Sequence, residues 1–267
     1  MAGWIDSHVH LDYWKIEEVP GVIRTAQLAG VDKILTVGRS VTSSAFNVWI
    51  ARRFDNVVAG VAIHPLWPDP LDNAAYQQLK ALTKNKKVVA IGETGIGIGI
   101  RPETREQQRE KFARHIRLGR EVGLPIVIHN DRGSGADIIE IFEKENGMEV
   151  GGVMHSTMVD INSARPLWEM GVYISFGYHP FHREGFEYLE DVIQQVPDDK
   201  LIIETDSAGG LGGATPEKVA EVAKKVAAIR KTTPAHIRQV SVRNINKLFR
   251  LDAAPARPAR RAAAKSR

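Results

Sequence analysis

The segment WIDSHVH, residues 4–10, decides the fold, because it reads as a short buried strand that closes on two histidines two positions apart. Side chains two apart on a strand share a face, so His8 and His10 leave the strand end together, whereas a helix would separate them. Working outward, seven more β-branched runs follow at 33–38, 57–64, 88–93, 125–129, 152–155, 172–176 and 201–206. Longer amphipathic stretches separate them, which is the alternation of βα units around a parallel sheet. Residues 215–230 read as one helix, with Thr215 as its N-cap, Pro216 at the first helical position and Val219, Val222, Val226 and Ile229 on one face. A last helix starts at Thr233 and Pro234 and carries Ile237, Val240 and Leu248 into the core.

Eight strands with helices between them, no linker-like interior and no repeat of fixed period predict a single (β/α)8 TIM barrel over residues 1–251. An open doubly wound sheet would carry a Gly-rich phosphate turn after its first strand, and here that turn is HLDYWK at 10–15. The Gly-rich stretch GETGIGIGI at 92–100 has neither G-x-G-x-x-G spacing nor a following P-loop lysine, and it reads as a loop.

Composition narrows the chemistry. The 267 residues contain no cysteine, which excludes disulfides and thiolate catalysis and leaves histidine and carboxylates as metal ligands. No apolar run approaches the ~20 residues of a membrane span, and the N-terminus lacks a basic segment followed by an apolar one. A cytoplasmic protein with no membrane partner is the expectation. The net charge of +4 resides in residues 252–267, an Ala/Pro/Arg-rich tail without large apolar side chains that reads as disordered, so the body is neutral.

In a parallel barrel the active site forms at the C-terminal strand ends. His8 and His10 end the first run, Glu93 the fourth, His129 the fifth, His155 the sixth and Asp206 the eighth. Imidazole and carboxylate donors suit Zn, Mn or Mg, and six are too many for one ion that keeps open positions. Two divalent ions sharing a carboxylate fit better. Asp206 is the candidate general base, because an oxygen not bound to metal can orient and deprotonate a water. Asp6 shares strand parity with His8, as does Glu204 with Asp206, so both carboxylates are expected to point inward and hydrogen-bond ligand imidazoles or nearby polar groups. His64 ends the third run and is assigned to substrate or to support of the ligands, with Arg132 and Ser207. His179 and His182 lie on the loop after the seventh run, in reach of an anion. His115 and His236 fall within helices, in surface or packing roles.

The motifs IDSHVHLD at 5–12, AIHP at 62–65, IGETG at 91–95, LPIVIH at 124–129, GGVMHS at 151–156, YISFG at 173–177, IIETDS at 202–207 and VRNINKLF at 242–249 resemble the TatD family of metal-dependent hydrolases, within the amidohydrolase-like barrels, over residues 4–251. The resemblance implies a binuclear centre with His8, His10 and Asp206 on one ion, His129 and His155 on the other, and Glu93 between them. It also implies metal-dependent phosphodiester hydrolysis, as in a deoxyribonuclease, acting on nucleic acid or a small phosphoester. Three departures fall on βα loops: IGIGI at 96–100 where the family has a Leu-Asp-Tyr-like sequence, Asp131 where it has Arg, and Ala208 with AGGLGGAT where it has Pro and an Arg–Asn pair. Those loops choose the substrate, so an amide, ester or lactone hydrolase is the alternative activity, and a metal-dependent non-catalytic subunit is the alternative to an enzyme.

Overall fold

A computed structural model describes residues 3–97 and 104–252. The expected tail therefore lies outside the described residues, apart from Asp252, as does most of IGIGI. Among the described residues, nine parallel strands curl in the order β8-β7-β6-β5-β4-β3-β2-β1-β9. They are β1 (Trp4–His10), β2 (Val31–Val37), β3 (Val57–Val61), β4 (Val88–Ile96), β5 (Ile126–Asn130), β6 (Gly152–Met154), β7 (Tyr173–Phe176), β8 (Leu201–Ile203) and β9 (Ser207–Ala208). The helices α1 (Val19–Leu28), α2 (Val41–Ala51), α3 (Asn73–Leu82), α4 (Arg105–Val122), α5 (Gly135–Lys144), α6 (Ile161–Glu169), α7 (Leu189–Gln195) and α8 (Val219–Ile229) alternate with them, and α9 (Pro234–Phe249) ends the described fold. This is the expected TIM barrel. Among the described residues no helix is long and apolar enough to cross a membrane.

Strand alternation sorts the apolar residues into two cores. Ile34, Val57, Ala59, Ile91, Ile128, Ile174 and Ile203 face the helices. Ile5, Leu35, Val58, Ala90, Val127, Val153, Tyr173 and Ile202 form the inner cluster, which is joined by Ile245, Leu248 and Phe249 of α9. The last helix thus plugs the base of the barrel, where Asn244 Nδ2 donates to the Leu201 carbonyl (2.8 Å) and Ser241 Oγ accepts from Ile203 N–H (3.1 Å).

Three local expectations change. The eighth run is not one strand, because it breaks at 204–206 and resumes as β9, which pairs with β1 through Val9↔Ser207 and His10↔Ala208. The Gly-rich run begins as strand, since β4 continues to Ile96. Its glycines permit close strand approach: a Cβ on Gly92 would lie 2.4 Å from Val127 Cβ, and one on Gly95 would lie 2.1 Å from the His129 carbonyl oxygen. Thr215 does not cap a helix. Its hydroxyl donates to Glu217 Oε1 (2.8 Å), and a 3-10 turn over Pro216–Lys218 precedes α8. Thr233, in contrast, caps α9 by accepting from His236 N–H (3.1 Å).

Candidate metal centre

Two β-bulges set the geometry of the mouth. On β1, Asp6 pairs with Ile34 and Val9 with Thr36, so three steps of one strand match two of the other. On β4, Ile91 pairs with Ile126 and Thr94 with Ile128, with the same surplus. A bulge re-aims the side chain it carries, and these two fall at Ser7–His8 and Gly92–Glu93.

The result gathers six side chains around one point. Glu93 lies at the centre and divides its two oxygens. Oε2 faces His8 Nε2 (3.4 Å) and His10 Nε2 (3.2 Å). Oε1 faces His129 Nδ1 (2.6 Å) and His155 Nε2 (2.6 Å). Asp206 closes the first group, its Oδ1 standing 3.8 Å from His8 Nε2 and 3.7 Å from His10 Nε2. Within each group two imidazole nitrogens face one another at 3.3 Å, His8 with His10 and His129 with His155.

Outer hydrogen bonds fix which nitrogen each ring presents. His10 Nδ1 donates to the Val37 carbonyl (3.3 Å), and His155 Nδ1 donates to Glu204 Oε1 (3.3 Å), so in their neutral forms both direct a bare Nε2 inward. Glu204 is held in turn by Ser156 N–H (2.7 Å), Ser175 Oγ (2.7 Å) and Ser7 Oγ (3.3 Å). Asn130, which the motifs did not single out, donates from Nδ2 to the His155 carbonyl (2.6 Å) and accepts from Met158 N–H (2.7 Å). His64 differs: its Nδ1 accepts from Leu66 N–H (3.1 Å), so the neutral ring carries its proton on Nε2, 3.2 Å from both Glu93 Oε1 and His129 Nδ1.

Electrostatics point to positive charge at this centre. Burial alone would raise the Glu93 carboxyl, but the imidazoles of His155, His64, His10 and His129 around it hold it well below the usual carboxylate value. Burial opposes charge on His155, yet Glu93 and the bond to Glu204 raise it well above the ordinary imidazole value. His10 is raised in the same way against burial by Glu93 and Asp206. Burial pushes His64 down to about 4 and, with His155 beside it, lowers His8. Glu93 Oε2, His8 Nδ1 and His129 Nε2 are buried without a hydrogen-bond partner among the described residues. Paired lone pairs around a carboxylate, with orphaned donor atoms beside them, fit divalent cations of the kind imidazole and carboxylate bind.

The remaining expected residues are spread over the surroundings. Asp6 does not touch an imidazole. The bulge at 7–8 breaks the parity that would have aimed it with His8, and its carboxylate instead accepts from Thr205 N–H (3.0 Å) and Thr205 Oγ1 (2.5 Å) across the seam between β1 and β8. Burial there raises the Asp6 carboxyl well above its ordinary value. Arg132 donates to the Gly185 carbonyl and packs 4.5 Å from the Tyr188 ring centroid, in the outer loops. Ser207 is buried in β9, and its hydroxyl has no partner among the described residues. The His179 ring rests against Gly212, and His182 stacks on Tyr178 at 3.8 Å. His115 is fully buried, accepting from Ile63 N–H (3.0 Å) and donating to the Lys111 carbonyl (2.8 Å), while half-buried His236 bonds Asp198 Oδ2 (2.8 Å).

A family model described as TatD related DNase matches residues 5–250. The metal-dependent hydrolase YcfH of Escherichia coli (strain K12) is 34% identical over 260 residues, covering 93% of this chain and 96% of that protein. YabD of Bacillus subtilis (strain 168), also named a metal-dependent hydrolase, is 30% identical over 254 residues, covering 92% and 99%. A more distant relative from Cronobacter sakazakii, named 3'-5' ssDNA/RNA exonuclease TatD, is 27% identical over 246 residues, covering 88% and 93%. In fold, the chain superposes on YJJV, a TatD homologue from Escherichia coli, with a TM-score of 0.84 at 23% identity over 93% of this chain and 98% of that one. With the family model spanning nearly the whole barrel and the relatives matching it from end to end, this chain belongs to the TatD family of metal-dependent hydrolases.

Proposed function

We propose that the chain is a binuclear phosphodiesterase of the nuclease kind, with His8, His10 and Asp206 holding one divalent ion, His129 and His155 the other, and Glu93 both. The observation that carries this reading is the division of Glu93, whose Oε2 faces the first pair of histidines while Oε1 faces the second. When bound, two ions supply an activated water near neutral pH and stabilise charge developing on a phosphoryl oxygen. The chain's own residues do the rest. Glu204 and the Val37 carbonyl hold His155 and His10 in the tautomers that leave Nε2 bare. Asp206, with one oxygen facing His8 and His10, keeps the other to orient the attacking water and accept its proton. His64 presents an N–H to the centre and can donate to a substrate oxygen there. The name of the Cronobacter sakazakii relative supports a nucleic-acid substrate.

Turnover of bis(4-nitrophenyl) phosphate and short single-stranded DNA with Mn, Mg and Zn tests the reaction, and Asp206→Asn tests the base. Loss of turnover with both metals still bound is expected, whereas full turnover would remove Asp206 from that role. Hydrolysis of esters or lactones with no phosphodiester turnover would favour the carbonyl reading, since the same centre can polarise a carbonyl oxygen.

A further inference from the structure

Beside the metal centre lies a cation that none of the ligand motifs contains. Arg39 directly follows Gly38, whose carbonyl accepts from Glu93 N–H (3.0 Å), and its own carbonyl accepts from His64 N–H (3.0 Å). Its backbone is thus fastened to two residues of the centre. Its guanidinium carbon stands 3.8 Å from the Tyr13 ring centroid and 4.3 Å from that of Trp67. Those rings border the centre themselves, Tyr13 at 5.8 Å from the His10 ring and Trp67 at 6.3 Å from the His64 ring. With two aromatic rings this close, the guanidinium is left chiefly its edge for hydrogen bonding.

The edge is half used. Nε and Nη2 donate to one oxygen of Asp12, Oδ2, at 3.1 and 2.6 Å, while Asp12 Oδ1 is buried without a partner among the described residues. An arginine serving only as a structural clamp would be expected to spread its fork over both oxygens. Here Asp12 anchors one corner, and Nη1 makes no hydrogen bond among the described residues. A planar fork with free donors, stiffened by two rings at the rim of a hydrolytic centre, suits a phosphate group.

Building on the phosphodiesterase reading, we infer that Arg39 is a specificity-determining residue that binds a second phosphate of the substrate, adjacent to the one that reacts. The preferred substrate then carries a terminal phosphate next to its scissile diester, and Tyr13, 42% exposed, offers its open surface to the ring beyond it.

The test is calorimetric titration of the full-length, Mn-loaded protein with a dithymidine whose linkage is an uncharged methylphosphonate, made with and without a 5′-phosphate. The only charge that differs is the terminal phosphate. The phosphorylated form should bind roughly tenfold or more tighter, and Arg39→Gln should erase that preference. Arg39→Lys, which keeps the charge but loses the planar fork, should retain only part of it and carries the test if Arg39→Gln does not fold. Equal or undetectable binding of the two forms by the wild-type protein, or a preference that survives in either variant undiminished, overturns the inference. Failure of the reaction itself shows separately as absent turnover of bis(4-nitrophenyl) phosphate, which leaves the binding comparison to decide on Arg39.

Discussion

The two ends of the barrel are built on opposite rules. At the base, α9 sets Ile245, Leu248 and Phe249 against inward residues of the strands, and Ser241 and Asn244 hydrogen-bond the strand backbone beside them. At the mouth, four histidines and two carboxylates converge, two bulges distort the strands, and buried polar atoms lack partners among the described residues. One end lowers free energy by packing and the other holds unsatisfied groups in place at its expense. The difference teaches that the base stabilises a mouth that could not stabilise itself without cations.

Substitutions at each end should therefore separate function from stability. The largest effect is expected from Glu93→Gln, which removes the shared carboxylate: turnover should fall by at least about 10³-fold and metal content should drop below two ions per chain by elemental analysis. A variant retaining two ions and near-normal turnover would contradict the division of Glu93 between two groups. At the base, Phe249→Ala should cost roughly 3–5 kcal/mol of stability by denaturant unfolding while leaving metal stoichiometry and turnover of the folded fraction unchanged. Metal loss in that variant would mean that the two ends are coupled.

A smaller effect is expected from Glu204→Gln, which leaves the proposed ligands in place but weakens the hold on His155 Nδ1. Metal affinity should fall roughly 10–100-fold by competition with a chelator dye, with little change in melting temperature of the metal-free protein. The smallest concerns His115, between the ends, whose imidazole burial pushes from its ordinary value of 6.5 down to about 3. The unfolded chain takes up this proton below pH 6.5 and the folded chain does not, so stability is lost as pH falls through that window. By pH 5 the loss should be about 2 kcal/mol, and His115→Gln should flatten this part of the pH–stability curve. An unchanged slope would show that other groups govern acid unfolding.

The same contrast explains what could be read in advance. Eight strand runs and the order of His8, His10, Glu93, His129, His155 and Asp206 were legible because burial makes most of each strand apolar, so polar residues that recur at the strand ends stand out. Parity predicted Glu204 well, because the alternation of β8, Ile202 inward and Ile203 outward, still holds at the residue just past its end. It failed for Asp6 because a bulge is an extra residue in register, and nothing in IDSHVH marks where pairing slips. Gly95 read as loop because it lacks a side chain, yet that lack is what lets β4 and β5 approach. Arg39 was invisible for a different reason: its partners Asp12, Tyr13 and Trp67 come from other loops, and only folding brings them together.

The interrupted last strand has a consequence for the order of assembly. The proposed ligands His8 and His10 are made first and Asp206 almost last, and they meet only when β9 returns to lie beside β1. Asp206 N–H bonds the His8 carbonyl (3.1 Å), and Asp6 grips Thr205 one residue earlier, so the step that seals the seam is also the step that completes the donor set. A chain stopped before that point holds several of the donors but not the closed centre. Full metal occupancy would then act as a receipt for a finished barrel.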